Sequence, residues 1–146
     1  MNLANPVNPE QAPTLRFHHV GIVTGQLDES IAFYADLGYE PSEAYTDPLQ
    51  HITVVLMRRA GDPLIELIAP DGSDSTAASW IGRIMAGPYH TCYEVENIDR
   101  AIGWLAHRRF AKTFGPVPAT AFSMRRVAFL WGAQSGLVEL LETAGP

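Results

Sequence analysis

The chain has 146 residues, 47% of them hydrophobic and 18% charged, proportions that suit one folded domain with its own core and argue against disorder. Ten Lys and Arg stand against sixteen Asp and Glu, and the resulting net charge of −6 excludes a broad basic face for nucleic acid. A single cysteine, Cys92, excludes an internal disulfide, and no apolar run is long enough for a bilayer, so a cytoplasmic protein with neither nucleic-acid nor membrane partners is expected.

Residues 1–15, with Pro6, Pro9 and Pro13 among Asn, Ala and Gln, read as a flexible tail, and 16–146 as a single domain. A strand is expected over 16–23, ended by Thr24-Gly25. A helix follows, capped by Asp28 or a neighbour, with Leu27, Ile31, Phe33, Tyr34 and Leu37 at roughly helical spacing, and stopped by Gly38. Strands are then predicted over 39–45 and 52–59, the latter turning through Gly61-Asp62-Pro63 into 64–69. A linker, 71–87, holds an Asp/Ser-rich turn and a short helix over 79–85. The same succession returns with strands near 89–95, 109–114, 124–131 and 137–142 and a helix over 99–107. Module one is thus 16–70 and module two 88–146, each strand, helix, three strands, in an α+β fold.

The two modules repeat each other in detail. His19 meets His90 at an offset of 90 − 19 = 71, and in that register Leu27 meets Ile98, Asp28 meets Asp99 and Ile31 meets Ile102. Nearer the ends, Leu64-Ile65-Glu66-Leu67 meets Leu137-Val138-Glu139-Leu140 at 139 − 66 = 73. Such a repeat means two copies of one supersecondary unit.

Glu66 and Glu139 each stand alone inside an apolar strand, where an unpaired buried carboxylate costs several kcal/mol. A lone strand carboxylate usually faces water, but two at equivalent positions, each with a matched histidine, point to a shared cation. Strand alternation puts His18 and His19 on opposite faces, and the repeat selects His19. Two imidazoles and two carboxylates leave open positions on a six-coordinate Co, Ni, Mn or Fe ion, whereas four-coordinate Zn would be filled by the protein alone.

His19-Val20-Gly21-Ile22-Val23, Ile65-Glu66-Leu67, the segment from Tyr89-His90 to Val95, Arg126-Val127-Ala128-Phe129-Leu130 and Val138-Glu139-Leu140 follow one another at a spacing that resembles the vicinal oxygen chelate superfamily, nearest its methylmalonyl-CoA epimerase-like branch. That resemblance implies a glyoxalase-like fold, two βαβββ modules curving a mixed sheet around a metal cleft, with His19, Glu66, His90 and Glu139 as metal ligands. It implies a divalent metal ion (Co, Ni, Mn, Fe or Zn), a small-molecule carbonyl substrate and pairing of two chains as a homodimer. The activity implied is an isomerase, epimerase or lyase reaction by proton abstraction next to a metal-bound carbonyl of a 2-oxo or acyl thioester substrate, with Glu139 and Glu66 carrying the proton. Where the epimerases hold a further acid on the third strand, this chain has Val54. His51, Arg125, Arg126, Phe122 and Met124 are expected to contact substrate, although one Lys and no basic cluster offer little to a phosphate-rich coenzyme tail. The alternatives are a non-haem iron dioxygenase using His19, His90 and Glu139, and a metal-free binding protein of the same fold.

Overall fold

In the computed structural model, residues 11–145 are described; most of the expected tail, 1–10, lies outside them. Eight strands form one mixed sheet in the order β2-β3-β4-β1-β5-β8-β7-β6. Module one contributes β1 (Arg16–Thr24), helix α1 (Leu27–Asp36), β2 (Glu40–Asp47), β3 (Ile52–Arg58) and β4 (Leu64–Pro70). Module two contributes β5 (Ala86–Val95), α3 (Ile98–Ala106), β6 (Ala111–Pro118), β7 (Arg126–Gly132) and β8 (Gly136–Glu142), and α2 (Thr76–Ile84) joins the two. Within each module the first strand runs parallel to the last, β1 with β4 and β5 with β8, while β1 and β5 pair antiparallel where the modules meet. The two-module α+β expectation matches this curved sheet.

The sheet is covered differently on its two faces. Outward-pointing Val55, Met57, Ile65 and Leu67 pack beneath Leu27, Ile31 and Tyr34 of α1. The repeat places Ala128, Leu130, Val138 and Leu140 beneath Ile98, Ala101 and Leu105 of α3 in the same way. The inner face carries Val23, Val54, Ile68, Val127 and Leu141, with Ala77, Trp80 and Ile81 of α2 packed against them. Since side chains alternate along a strand, residues 66 and 139, between outward-facing neighbours, must point inward. No helix among the described residues is long and apolar enough to cross a membrane.

Several boundaries differ from the sequence expectation for local reasons. Helix α2 begins at Thr76 rather than 79 because the Ser75 hydroxyl accepts a hydrogen bond from the Ala78 N–H, which caps it three residues earlier. Strand β5 starts at Ala86, inside the stretch read as linker, and β6 runs on to Pro118. The strand read from Met124 starts at Arg126, because Ser123 and Met124 take positive φ angles of 54° and 64° after a 3-10 turn over Thr120–Phe122. Phe33 is 57% exposed on α1, off the stripe made by residues 27, 31 and 34.

Candidate metal centre and substrate cavity

Two rungs of the sheet assemble the cluster. On one, Glu66 of β4, Gly21 of β1 and His90 of β5 lie side by side; on the other, Glu139 of β8 is beside Cys92 of β5 and His19 of β1. In each rung a glutamate and a histidine from different modules flank a small residue, the position two after the other histidine. The imidazole of His90 lies directly over β1, where a Cβ on Gly21 would come within 2.2 Å of its ring. Glycine is therefore required at 21 by the ring that covers it. On the other rung the buried Cys92 thiol fills the space beside His19.

The four donors converge within 4.8 Å of one another and all four residues are buried. The two histidine Nε2 atoms are 3.2 Å apart. Glu139 Oε2 lies 2.7 Å from His90 Nε2 and 3.1 Å from His19 Nε2, while Glu66 Oε1 lies 3.5 and 3.7 Å from the same two nitrogens. The reading in which each glutamate faces water does not describe this chain, in which Glu66 is 4% exposed and Glu139 2%.

A β-bulge precedes the ligand-type histidine in both copies, and it corrects the assignment of faces. The register of β1 on β5 shifts between Phe17 and His19 and again between Gly21 and Ile22, leaving His18 and Tyr89 as the extra residues. Alternation fails at each, so His18 turns to the same side as His19, its Nδ1 2.8 Å from the Nδ1 of His19. Tyr89 likewise meets the ring of His90 edge-on at 5.2 Å. Phe122 stacks on His19 with ring centres 5.2 Å apart and Phe129 meets His90 edge-on at 5.3 Å, so both imidazoles are clamped by aromatic neighbours.

The electrostatics of the cluster describe a charge deficit. Burial opposes a charged imidazole at His19, but Glu66 beside it, the Cys92 sulfur and the Glu139 carboxylate, which accepts from its ring N–H, outweigh this and hold it well above an ordinary histidine. Burial would likewise raise the Glu139 carboxyl, yet His90 and His19 bring it down to about 2. At His18, burial and then the nearby His19 lower the value, which keeps that ring neutral as a partner for His19. Two buried carboxylates thus draw positive charge onto histidine in the protein alone, and a divalent cation would supply it better. The donor set fits such an ion: the Nε2 atoms of both histidines and one oxygen of each glutamate converge on one buried point.

Glu66 alone of the four opens onto a cavity of about 470 Å³ between α2, the β2–β3 turn and the far strands β6 and β7. His51 lines it, with a φ of 55°, at the end of a turn whose backbone N–H groups at Leu49 and Gln50 donate to the buried Asp47 carboxylate. That role of Asp47 was legible as an Asx-turn residue before Pro48 but was not singled out. The other expected substrate contacts lie elsewhere. The Arg125 guanidinium donates to the Glu94 carboxylate and the Glu142 carbonyl, and that of Arg126 to Glu142 and Asp99, so both are engaged within the chain. Met124 is 57% exposed on its turn, and Phe122 lies against His19 rather than on the cavity wall. Missed from sequence were Trp80, Thr113 and Trp131, which the wall draws from three separate elements. Val54 is buried in the inner apolar cluster.

Comparison with known proteins agrees with this architecture. The human mitochondrial methylmalonyl-CoA epimerase is 37% identical over 89 residues, 60% of this chain and 50% of that protein. The ethylmalonyl-CoA/methylmalonyl-CoA epimerase of Cereibacter sphaeroides is 34% identical over 85 residues, 57% of this chain and 63% of its own length. The match therefore spans about half to under two thirds of these curated relatives. The crystal structure of methylmalonyl-CoA epimerase from Mycobacterium tuberculosis superposes with a TM-score of 0.79 at 25% identity, over 94% of this chain and 95% of that one. Residues 18–129 match the model of the Glyoxalase/Bleomycin resistance protein/Dioxygenase superfamily, and by that match and the fold that carries it the chain belongs to this superfamily.

Proposed function

We propose that the chain is a metal-dependent epimerase that removes and returns the proton next to a carbonyl of a small 2-oxo or acyl thioester substrate. The observation that carries this reading is the position of Glu66, one carboxylate of a buried two-histidine, two-glutamate cluster and the sole member of it that lines the cavity. Kinship with two curated epimerases supports the reaction class.

His19, His90, Glu66 and Glu139 would hold the ion. When bound, a divalent metal supplies a Lewis acid that draws charge from the carbonyl oxygen and acidifies the adjacent C–H. Glu66 takes the proton as general base, because its carboxylate faces the space a substrate must enter. Glu139 is tied to both imidazoles and kept as the anion, so we assign it the anchoring role in place of the proton-carrying one expected from sequence. His51, on the wall of the same cavity and half exposed, returns a proton to the other face of the planar intermediate and re-equilibrates with solvent. Val54 supplies no proton, and His51 fills the place of a second acid. Phe114, Phe129 and Trp80 keep water from the reacting carbon.

The test is isotopic. Metal-loaded protein incubated in D₂O with 2-oxo and acyl thioester candidates should exchange the α-proton, read by NMR. Glu66→Gln should slow that exchange by about 10²–10⁴-fold. His51→Gln should retain exchange while losing inversion of configuration, which separates a two-base from a one-base reaction. Absence of α-exchange in every candidate, or consumption of oxygen in its place, sinks the epimerase reading.

A further inference from the structure

We infer that the acyl portion held by this cavity is uncharged and apolar, of the kind a 2-arylpropionyl group represents, and carries no second carboxylate. The inference rests on the carbonyl-α reading above and deepens it.

It follows first from an inventory of charge. Among the described residues, no Lys or Arg lines the cavity, whose acidic members are Glu66 and Asp74. Its one basic side chain, His51, has Nε2 3.9 Å from the Asp74 carboxylate. The two nearest-expected arginines, Arg125 and Arg126, are committed to Glu94, Glu142 and Asp99. A divalent ion in the cluster would be balanced by Glu66 and Glu139, so the centre presents no net positive charge. A second carboxylate on the substrate would leave water and meet no uncompensated cation, which is the expensive case of charge burial.

The walls make the complementary case. Trp80 of α2 and Tyr89 of β5 meet edge-to-face at 5.7 Å, and Phe114 of β6 and Phe129 of β7 lie with ring centres 6.4 Å apart. Trp131 and Leu137 extend that apolar surface. These rings in the wall of a cavity of about 470 Å³ suit a planar or branched hydrocarbon group, while the remaining polar lining, Gln50, Ser75, Thr76 and Thr113, is uncharged and offers a second carboxylate no counter-ion. The malonyl-type acyl groups for which the curated relatives are named would set a carboxylate against this wall.

The experiment compares two pantetheine thioesters that differ in the acyl group alone, 2-phenylpropionyl and methylmalonyl, so that the coenzyme phosphates play no part. Binding to the full chain loaded with Mn²⁺, which leaves coordination positions open, is read from the fluorescence of Trp80 and Trp131. The aryl thioester should bind at least ~10-fold more tightly. Asp74→Asn should narrow the gap by improving binding of the carboxylated thioester more than that of the aryl one. Equal or tighter binding of methylmalonyl pantetheine, or failure of the aryl thioester to bind, overturns the inference. Exchange of the α-proton is scored separately: tight aryl binding without exchange removes the epimerase reading and leaves the cavity's preference standing.

Discussion

At position 21 the chain has no freedom of side chain. A Cβ there would meet the His90 ring at Cε1, Nδ1 and Nε2, all within 2.6 Å, and the ring cannot retreat because Phe129 and Tyr89 flank it. Gly21→Ala should destabilise the fold by about 1–3 kcal/mol, the usual range for overpacking, and should lower bound metal along with it. Denaturant melts beside elemental analysis of the purified variant check both; unchanged metal content would show that His90 does not need its seat over β1. The sequence made the four donors legible because an isolated Glu between aliphatic residues, twice, has few physical explanations. It hid the bulges at His18 and Tyr89, since an inserted residue leaves no mark on composition or period and cancels the alternation rule at the point where that rule was applied. Phe122 shows the same limit: its aromatic character was plain, but stacking on His19 depends on a 3-10 turn that the sequence did not announce.

Elements here are tied end to end by a few polar contacts. Glu142, at the end of β8, accepts from the Ile98 N–H at the start of α3 and from the Arg126 guanidinium of β7, so one carboxylate joins three elements. The Arg126 hydrogen bond is the main reason its carboxyl lies below 4.5, with the Ile98 N–H helping against a modest cost of burial. A carboxylate lowered on folding contributes stability that is present above its unfolded value and is lost as pH falls through its folded one. The wild type should therefore lose stability more steeply than Glu142→Gln as pH drops below about 4.5, measured by urea titrations at several pH values. Parallel pH profiles would remove Glu142 from that role. The outer strands explain why the open sheet need not grow by edge pairing. β2 carries Pro41 between Glu40 and Glu43 with an irregular register, and β6 carries Pro116, Pro118 and Lys112. Both edges were visible in the sequence as strands, yet their ends shifted by up to four residues, as the run of β6 to Pro118 shows.

Over the whole molecule, the repeat read from the offsets of 71 and 73 became the two-module sheet, because conserved spacing between equivalent strands constrains which of them can lie adjacent. The cavity was less legible, since its wall is drawn from the β2–β3 turn, α2, β6 and β7, whose meeting is a property of tertiary structure alone. Charge balance gives a molecular-scale prediction. With divalent metal at about 100 times its Kd, folding should gain ~2.7 kcal/mol and Tm should rise by several degrees relative to chelator-treated protein. Calorimetry should find that rise abolished in His90→Ala; an equal shift in that variant would place the ion elsewhere. The rung arrangement also speaks to ancestry. Since each histidine is seated over a strand of the opposite module, half of this chain would own half of every contact, and a single-module forebear would have needed a twin to hold an ion at all. The two halves are not identical at this point, for the place that Gly21 holds beneath His90 in one is held by Cys92 beside His19 in the other.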